Sequence, residues 1–147
     1  RIARVRDRLD GRRFCATYAD GVADVDLAEL LRFHEDHGAL ATMTVVRPEL
    51  QFGVARLNGD DVVEGFDEKP RFDGWVNGGF FCFEAGVFDY LEDDSVLERE
   101  PFERLAAENQ LRAFRHTGFW DCMDTYKDAV LLNDLWAQHR APWKRWS

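Results

Sequence analysis

Asp20, in the run Tyr18-Ala19-Asp20-Gly21, and Asp124, in Asp121-Cys122-Met123-Asp124-Thr125, are carboxylates at boundaries between regular elements. An acid that closes a strand and opens a glycine turn lies where ligands collect in open α/β sheets, just outside the carboxyl ends of the strands. An acid ahead of a helix lies beside outward-pointing N–H groups that favour anions. Two such acids could share a divalent cation. Magnesium suits them, because it takes hard oxygen ligands and usually only one or two carboxylates, with water and substrate phosphates completing its shell. A turn and a helix cap also call for aspartate, so residue type leaves both readings open.

The stretch EGFDEKPRFDGWVNGGFFCF (64–83) holds the next candidates. Lys69, between Glu68 and Pro70 at the exit of a strand, could offer a point charge to a phosphate, or be half of a surface ion pair worth almost nothing. Asn77, followed by Gly78 and Gly79, could let a sugar lie against the backbone while its amide donates to and accepts from hydroxyls; the bland alternative is a β-bulge. Other patterns fail. DGVADVD (20–26) lacks the glycine and closing glutamate of a calcium loop. His34 lies on an apolar helix stripe and His37 near the helix end, where a cation is welcome. No nucleophile triad signature and neither GxGxxG nor GxxxxGK occurs.

Elements must position these groups. The opening run RIARVRDRL carries Ile2, Val5 and Leu9 at helical spacing, which predicts the end of a helix that starts earlier and hence a piece of a longer protein. FCATYAD (14–20) reads as a buried strand of a parallel sheet. Asp26 opens a helix with Leu27, Leu30, Leu31 and His34 on one face, a capping-box partner in Glu29 and a stop at Gly38. Residues 40–46 form a second two-sided strand, completing a βαβ unit. A hairpin follows about Asn58-Gly59-Asp60, then a strand at 75–83. A helix lies between Ser95 and Asn109, with Phe102, Leu105 and Ala106 on its inner face. RAFRHTGFW (112–120) reads as one strand. The last helix is capped by Thr125 with Asp128 three residues on, and buries Leu131, Leu132 and Leu135. The fold class is α/β with a mixed β-sheet flanked by helices, in one domain spanning 1–147.

Composition narrows the partners. The net charge of −9 argues against nucleic acid or an anionic membrane, either of which needs a basic face, and no apolar run approaches a membrane span. A phosphate ligand would have to be met by local Arg and Lys. Cys15, Cys82 and Cys122 stand apart without CxxC spacing, which fits a reducing cytoplasm.

Taken in order, TYADGVADVDLAELLRFHEDHG, FDEKP, GWVNGGFFCFEAGVFDYL, EREPFERLA, GFWDCMDTYKD and APWKRW resemble successive blocks of the glucose-1-phosphate cytidylyltransferases, a branch of the sugar-phosphate nucleotidylyltransferases. The pairing of FWxxMDT with APWKxW is the narrower part of the match. The resemblance implies a partial Rossmann-like domain that joins CTP to α-D-glucose 1-phosphate, releasing pyrophosphate and giving CDP-glucose for bacterial surface polysaccharide such as O-antigen. It implies Asp20 and Asp124 as Mg2+ ligands, Lys69 on the sugar phosphate, Glu68, Asn77 and Gly78 on the glucose, and Tyr18 on the nucleotide side. Homo-oligomers are implied as well. The sequence departs from the pattern at Ala19, where glycine is usual, and at Asp121-Cys122, where Gln-Pro is more common. The family's glycine-rich nucleotide loop has no counterpart here, so the fragment alone is expected to be inactive, and the open flank of its sheet is expected to be a site of aggregation or dimerisation. Two other readings compete: a non-catalytic nucleotidylyltransferase-like module for binding or oligomerisation, and a metal-dependent glycosyltransferase using Asp24-Val25-Asp26 as a DxD motif, against which stands the commitment of Asp26 to a helix cap.

Overall fold

Residues 2–146 are described by a computed structural model. Its centre is a mixed four-stranded sheet in the order β1 (Phe14–Thr17), β6 (Val76–Phe83), β3 (Ala41–Val46), β7 (Leu111–Arg115). β6 runs antiparallel to both of its neighbours, whereas β3 and β7 are parallel. Two ribbons complete the strands: β2 (Gly21–Ala23) with β8 (Trp120–Cys122), and β4 (Val54–Leu57) with β5 (Val63–Asp67). The α-helices are α1 (Leu27–His37), α2 (Glu100–Ala107) and α3 (Tyr126–Ala137). Among the described residues no helix is long and apolar enough to cross a membrane.

Local sequence accounts for most of these elements. β3 is covered on both faces, as its unbroken apolar and β-branched run requires. Asp26 accepts from the Glu29 backbone at 3.0 Å to start α1, and Gly38 ends it in the left-handed region. Thr125 and Asp128 form a full reciprocal capping box on α3. In the β4–β5 turn the Asn58 side chain accepts from the backbones of Asp60 and Val62. The main core joins Ala41, Phe81 and Phe83 of the sheet to Val87, Phe88, Leu97, Phe102 and Leu105.

Several expectations change. The opening residues form a 3-10 helix over Ala3–Arg8 rather than an α-helical end. FCATYAD is not a buried parallel strand here: β1 stops at Thr17, leaves Cys15 and Thr17 exposed, and among the described residues pairs with β6 alone, antiparallel. The βαβ unit survives only with β6 inserted between its two strands. The expected strand over 112–120 is two strands, because residues 116–119 break away from β7 before β8 pairs with β2. On α2 Ala106 is exposed, and on α3 Leu132 is buried while Leu131 is 49% exposed. The cysteines are not all isolated either, since Cys15 lies directly opposite Cys82.

The two helix histidines are held by one hydroxyl. The His37 Nδ1 accepts from the Ala39 backbone at 2.9 Å, so its Nε2 carries the hydrogen and donates to the Thr42 Oγ1 at 2.7 Å. Thr42 then donates to the His34 Nδ1, also at 2.7 Å, and the His34 Nε2 faces the Glu84 carboxylate at 3.4 Å. Burial is the leading reason that both rings titrate below an ordinary histidine. His37 is therefore kept neutral, and burial outweighs the helix end that was expected to favour a cation.

Leu105 is fully buried and Leu131 is not. Leu105→Ala should cost about 3 kcal/mol and Leu131→Ala less than about 0.5 kcal/mol in urea denaturation; equal costs would place both in the core. The histidines give a pH test. Below about pH 6.5 the unfolded chain binds protons that the native rings refuse, so their contribution to stability is complete above that pH and is lost as pH falls through it. The urea midpoint should drop from pH 7.5 to pH 5.5, and His34→Gln with His37→Gln should flatten that drop.

Candidate functional site

The ladder between β3 and β6 breaks where the candidates lie. Met43 pairs with Phe81 and Val45 with Asn77, so two steps on β3 face four on β6. The extra length is Gly78-Gly79. A Cβ on Gly78 would meet the Thr44 carbonyl oxygen and the Val46 side chain at 3.1 Å each, and Gly79 has φ +79° with the Tyr18 ring 2.8 Å from where its Cβ would be. The β-bulge expected as the bland alternative is thus present, and its glycines admit the chain's own backbone and Tyr18.

That bulge organises two groups of side chains. On one side the Tyr18 backbone N–H donates to the Gly79 carbonyl, Asn77 Nδ2 donates to the Tyr18 hydroxyl at 3.1 Å, and Asn77 Oδ1 accepts from the Gly79 N–H at 2.9 Å. The Tyr18 hydroxyl donates to Glu98, and burial followed by that carboxylate pushes its pKa up to about 12. Asn77 keeps one donor and one acceptor for a ligand. On the other side the Trp120 indole N–H donates to the Gly78 carbonyl at 2.8 Å. Trp120 begins β8, whose pairing with β2 sets Gly21 opposite Cys122 and lets Met123 N–H donate to the Asp20 carbonyl at 2.8 Å. Asp20 and Asp124 therefore flank one β-ribbon.

Beside this ribbon lies a cleft of about 1020 Å³, lined by Lys69 and Asp124 together with Arg47, Arg71, Trp75, Lys127 and Asp128. Lys69 and Asp124 are brought to one cavity, whereas Asp20, Tyr18, Glu68, Asn77 and Gly78 are not among its lining residues. Gly78 reaches it through Trp120, which is. Glu68 lies over Gly53 at the base of the hairpin. Arg47, Arg71, Trp75 and Lys127 were missed in the sequence. Arg47 and Arg115 both lie over the Trp75 ring, their guanidinium carbons 5.2 and 5.6 Å from its centre, and only the tertiary fold assembles that cluster. A smaller hollow of about 280 Å³, lined by Val22, Val25, Leu27, Phe80 and Trp143, holds none of the candidates.

Lys69 has a backbone that its type does not favour. Its φ is +46°, and it precedes proline. The other non-glycine residues of positive φ among the described residues are Asp10, Asp61, Asn109 and His139, types that tolerate that region. Strain of this kind persists where the surroundings enforce it and clusters at ligand-binding positions. Asp124 accepts from the Cys122 thiol at 3.3 Å, and burial together with that carboxylate pushes Cys122 up to about 12. The Asp121-Cys122 pair is self-consistent, since Cys122 N–H donates to the Asp121 Oδ1 at 2.8 Å. Asp26 caps α1, so that acid of the DxD pattern is committed to the helix, while the Asp24 Oδ1, 2.9 Å from the His116 Nε2, is buried without a hydrogen-bond partner among the described residues.

The nucleotidyl transferase family profile matches residues 2–135. The chain is 42% identical over 149 residues to a glucose-1-phosphate cytidylyltransferase of Salmonella typhimurium, covering 99% of this chain and 58% of that protein. It is 31% identical over 91% of its length to a mannose-1-phosphate guanylyltransferase catalytic subunit beta of Dictyostelium discoideum, of which it spans 41%. A Bacillus anthracis structure in complex with sucrose superposes with a TM-score of 0.68 at 15% identity, over 99% of this chain and 61% of that one. HddC from Yersinia pseudotuberculosis complexed with GMP-PN gives 0.65 at 13%, over 92% and 60%. At those identities the structures share the fold.

Lys69→Gly should raise the unfolding free energy by up to about 1 kcal/mol, because glycine takes a positive φ without strain. A clear loss of stability in urea denaturation would mean that the lysine side chain holds the fold.

Proposed function

From the premise that this chain belongs to the nucleotidyl transferase family, we propose that it carries the sugar-phosphate and metal half of a glucose-1-phosphate cytidylyltransferase. The reaction is CTP + α-D-glucose 1-phosphate to CDP-glucose and pyrophosphate. The observation that carries this reading is the cleft itself: in a chain of net charge −9, Lys69, Arg71, Arg47 and Lys127 line one cavity in equal number with the acids Glu49, Asp121, Asp124 and Asp128. Such a cavity suits a polyanion held beside a cation. The chain spans 58% of the length of the Salmonella relative, so the full reaction is assigned to a protein of that length, acting in the cytoplasm toward surface polysaccharide, with homo-oligomers as its working form.

The chemistry asks little of proton transfer. A sugar-phosphate oxygen is already anionic at neutral pH, so catalysis reduces to aligning two polyanions and reducing their repulsion. Lys69 offers its ammonium to the sugar phosphate. Glu68 and the free donor and acceptor of Asn77 meet the glucose hydroxyls, with the Gly78 backbone alongside. Tyr18, fixed by Glu98 and Asn77, flanks the nucleotide. Asp20 and Asp124 suit magnesium, since both are exposed hard-oxygen donors flanking one ribbon, Asp20 just before β2 and Asp124 just after β8. Among the described residues no cluster of three or more metal-binding side chains forms, and magnesium usually takes only one or two carboxylates. When bound, that ion would screen phosphate charge in the transition state.

Pyrophosphate release by the full-length protein, with CTP, glucose 1-phosphate and Mg2+, should require both substrates and fall at least about a hundredfold in Asp20→Asn, a loss of roughly 3 kcal/mol of transition-state stabilisation. A folded protein that releases none with any nucleotide would leave a non-catalytic binding module.

A further inference from the structure

We propose that Glu98 is a positioning residue for sugar recognition: through the Tyr18 hydroxyl it sets the polarity with which the Asn77 amide meets the hydroxyl groups of a sugar phosphate. The proposal rests on the reading that Asn77 meets the glucose. Glu98 and Tyr18 are 80 residues apart in sequence, and the fold joins them by a direct hydrogen bond. Glu98 is not among the residues that line the cleft, so its influence there must pass through a neighbour.

The Tyr18 hydroxyl has one hydrogen to give, and either Glu98 or the Asn77 Oδ1 could take it. A carboxylate only accepts, so Glu98 claims it. The phenol oxygen is then an acceptor, and the Asn77 Nδ2 donates to it at 3.1 Å. That turns the Asn77 Oδ1 toward the Gly79 N–H, a group that only donates, at 2.9 Å. A chain that starts at an obligate acceptor and ends at an obligate donor has a single polarity. Asn77 keeps one Nδ2 hydrogen and one Oδ1 lone pair, and their places are assigned in advance. A sugar hydroxyl at the first must accept, and one at the second must donate.

Packing holds the members of this chain in place. The Tyr18 ring fills the space over Gly79 and meets the Phe81 ring edge-on, with centroids 5.4 Å apart. Glu98 follows the core residue Leu97, whose carbonyl accepts from the Phe102 N–H at 3.2 Å, and precedes Arg99, whose N–H donates to the Val96 carbonyl at 3.1 Å. The carboxylate is thus mounted on a turn fixed to α2. Tyr18, held at about 12, keeps its proton at neutral pH and remains a donor. Fixing the amide before the ligand arrives lowers the ordering cost of binding. In Glu98→Gln the shape is kept, but the new amide can donate to the Tyr18 oxygen, which releases the phenol hydrogen and the polarity with it.

Glucose 1-phosphate binding is measured by phosphorus NMR on the full-length protein, in native form and as Glu98→Gln, Asn77→Ala and the double variant, with isotope-labelled asparagine to follow the side-chain amides. Glu98→Gln should shift the Asn77 amide signal, identified by its loss in Asn77→Ala, and should weaken binding about fivefold or more. The double variant should bind no more weakly than Asn77→Ala, because Glu98 acts through Asn77. An unmoved amide signal, native affinity in Glu98→Gln while Asn77→Ala weakens binding, or losses that multiply in the double variant would overturn the proposal and leave the reading of Asn77 intact. Native affinity in Asn77→Ala would instead sink that reading and the proposal with it.

Discussion

The break in the β3–β6 ladder at Gly78-Gly79 is the constraint on which the candidate site depends. A continuous ladder would face β6 residue for residue with β3 and leave no slack for the Gly79 carbonyl to take the Tyr18 N–H, or for the Gly78 carbonyl to take the Trp120 indole. Those two bonds tie β1 on one side and β8 on the other to the middle of the sheet. β8 then fixes β2, and through it the relation of Asp20 to Asp124. A side chain at Gly78 would crowd the Thr44 carbonyl of β3 at 3.1 Å, and glycine is favoured at Gly79 because φ is positive and Tyr18 fills the space.

The second theme is local charge within an acidic chain. Long-range electrostatics cannot draw a phosphate to a molecule of net charge −9, but the four Lys and Arg side chains set among four acids in the cleft act at short range, where screening is weak. The loop from Lys69 to Trp75 and the start of α3 bring them there. The same logic separates the cysteines. Cys15 shares its surroundings with Arg13, and Cys122 shares its own with Asp124.

Features written in contiguous residues were legible in the sequence. The caps at Asp26 and Thr125, the Asn58 turn, the two-sided β3 and the glycine pair of β6 each rest on a physical demand met within a few residues. Lys69 and Asp124 could be named for the same reason. Partner choice was not legible. FCATYAD is as apolar as a buried parallel strand, and only the insertion of β6 between β1 and β3 gives it an antiparallel partner. Periodicity placed Leu131 and Ala106 inward, although α3 and α2 each bury a narrower stripe. The cation–aromatic cluster on Trp75 and the Cys15–Cys82 contact join residues far apart in sequence, beyond any local pattern.

The account's central claim is that Lys69 presents its charge to a sugar phosphate in this cleft. The most direct measurement is a phosphorus NMR titration of glucose 1-phosphate with the protein and with Lys69→Gly, at two ionic strengths and without nucleotide. Saturable broadening with the native protein, weakened by salt and lost in the variant, is the predicted result. Equal binding by the two proteins would contradict it.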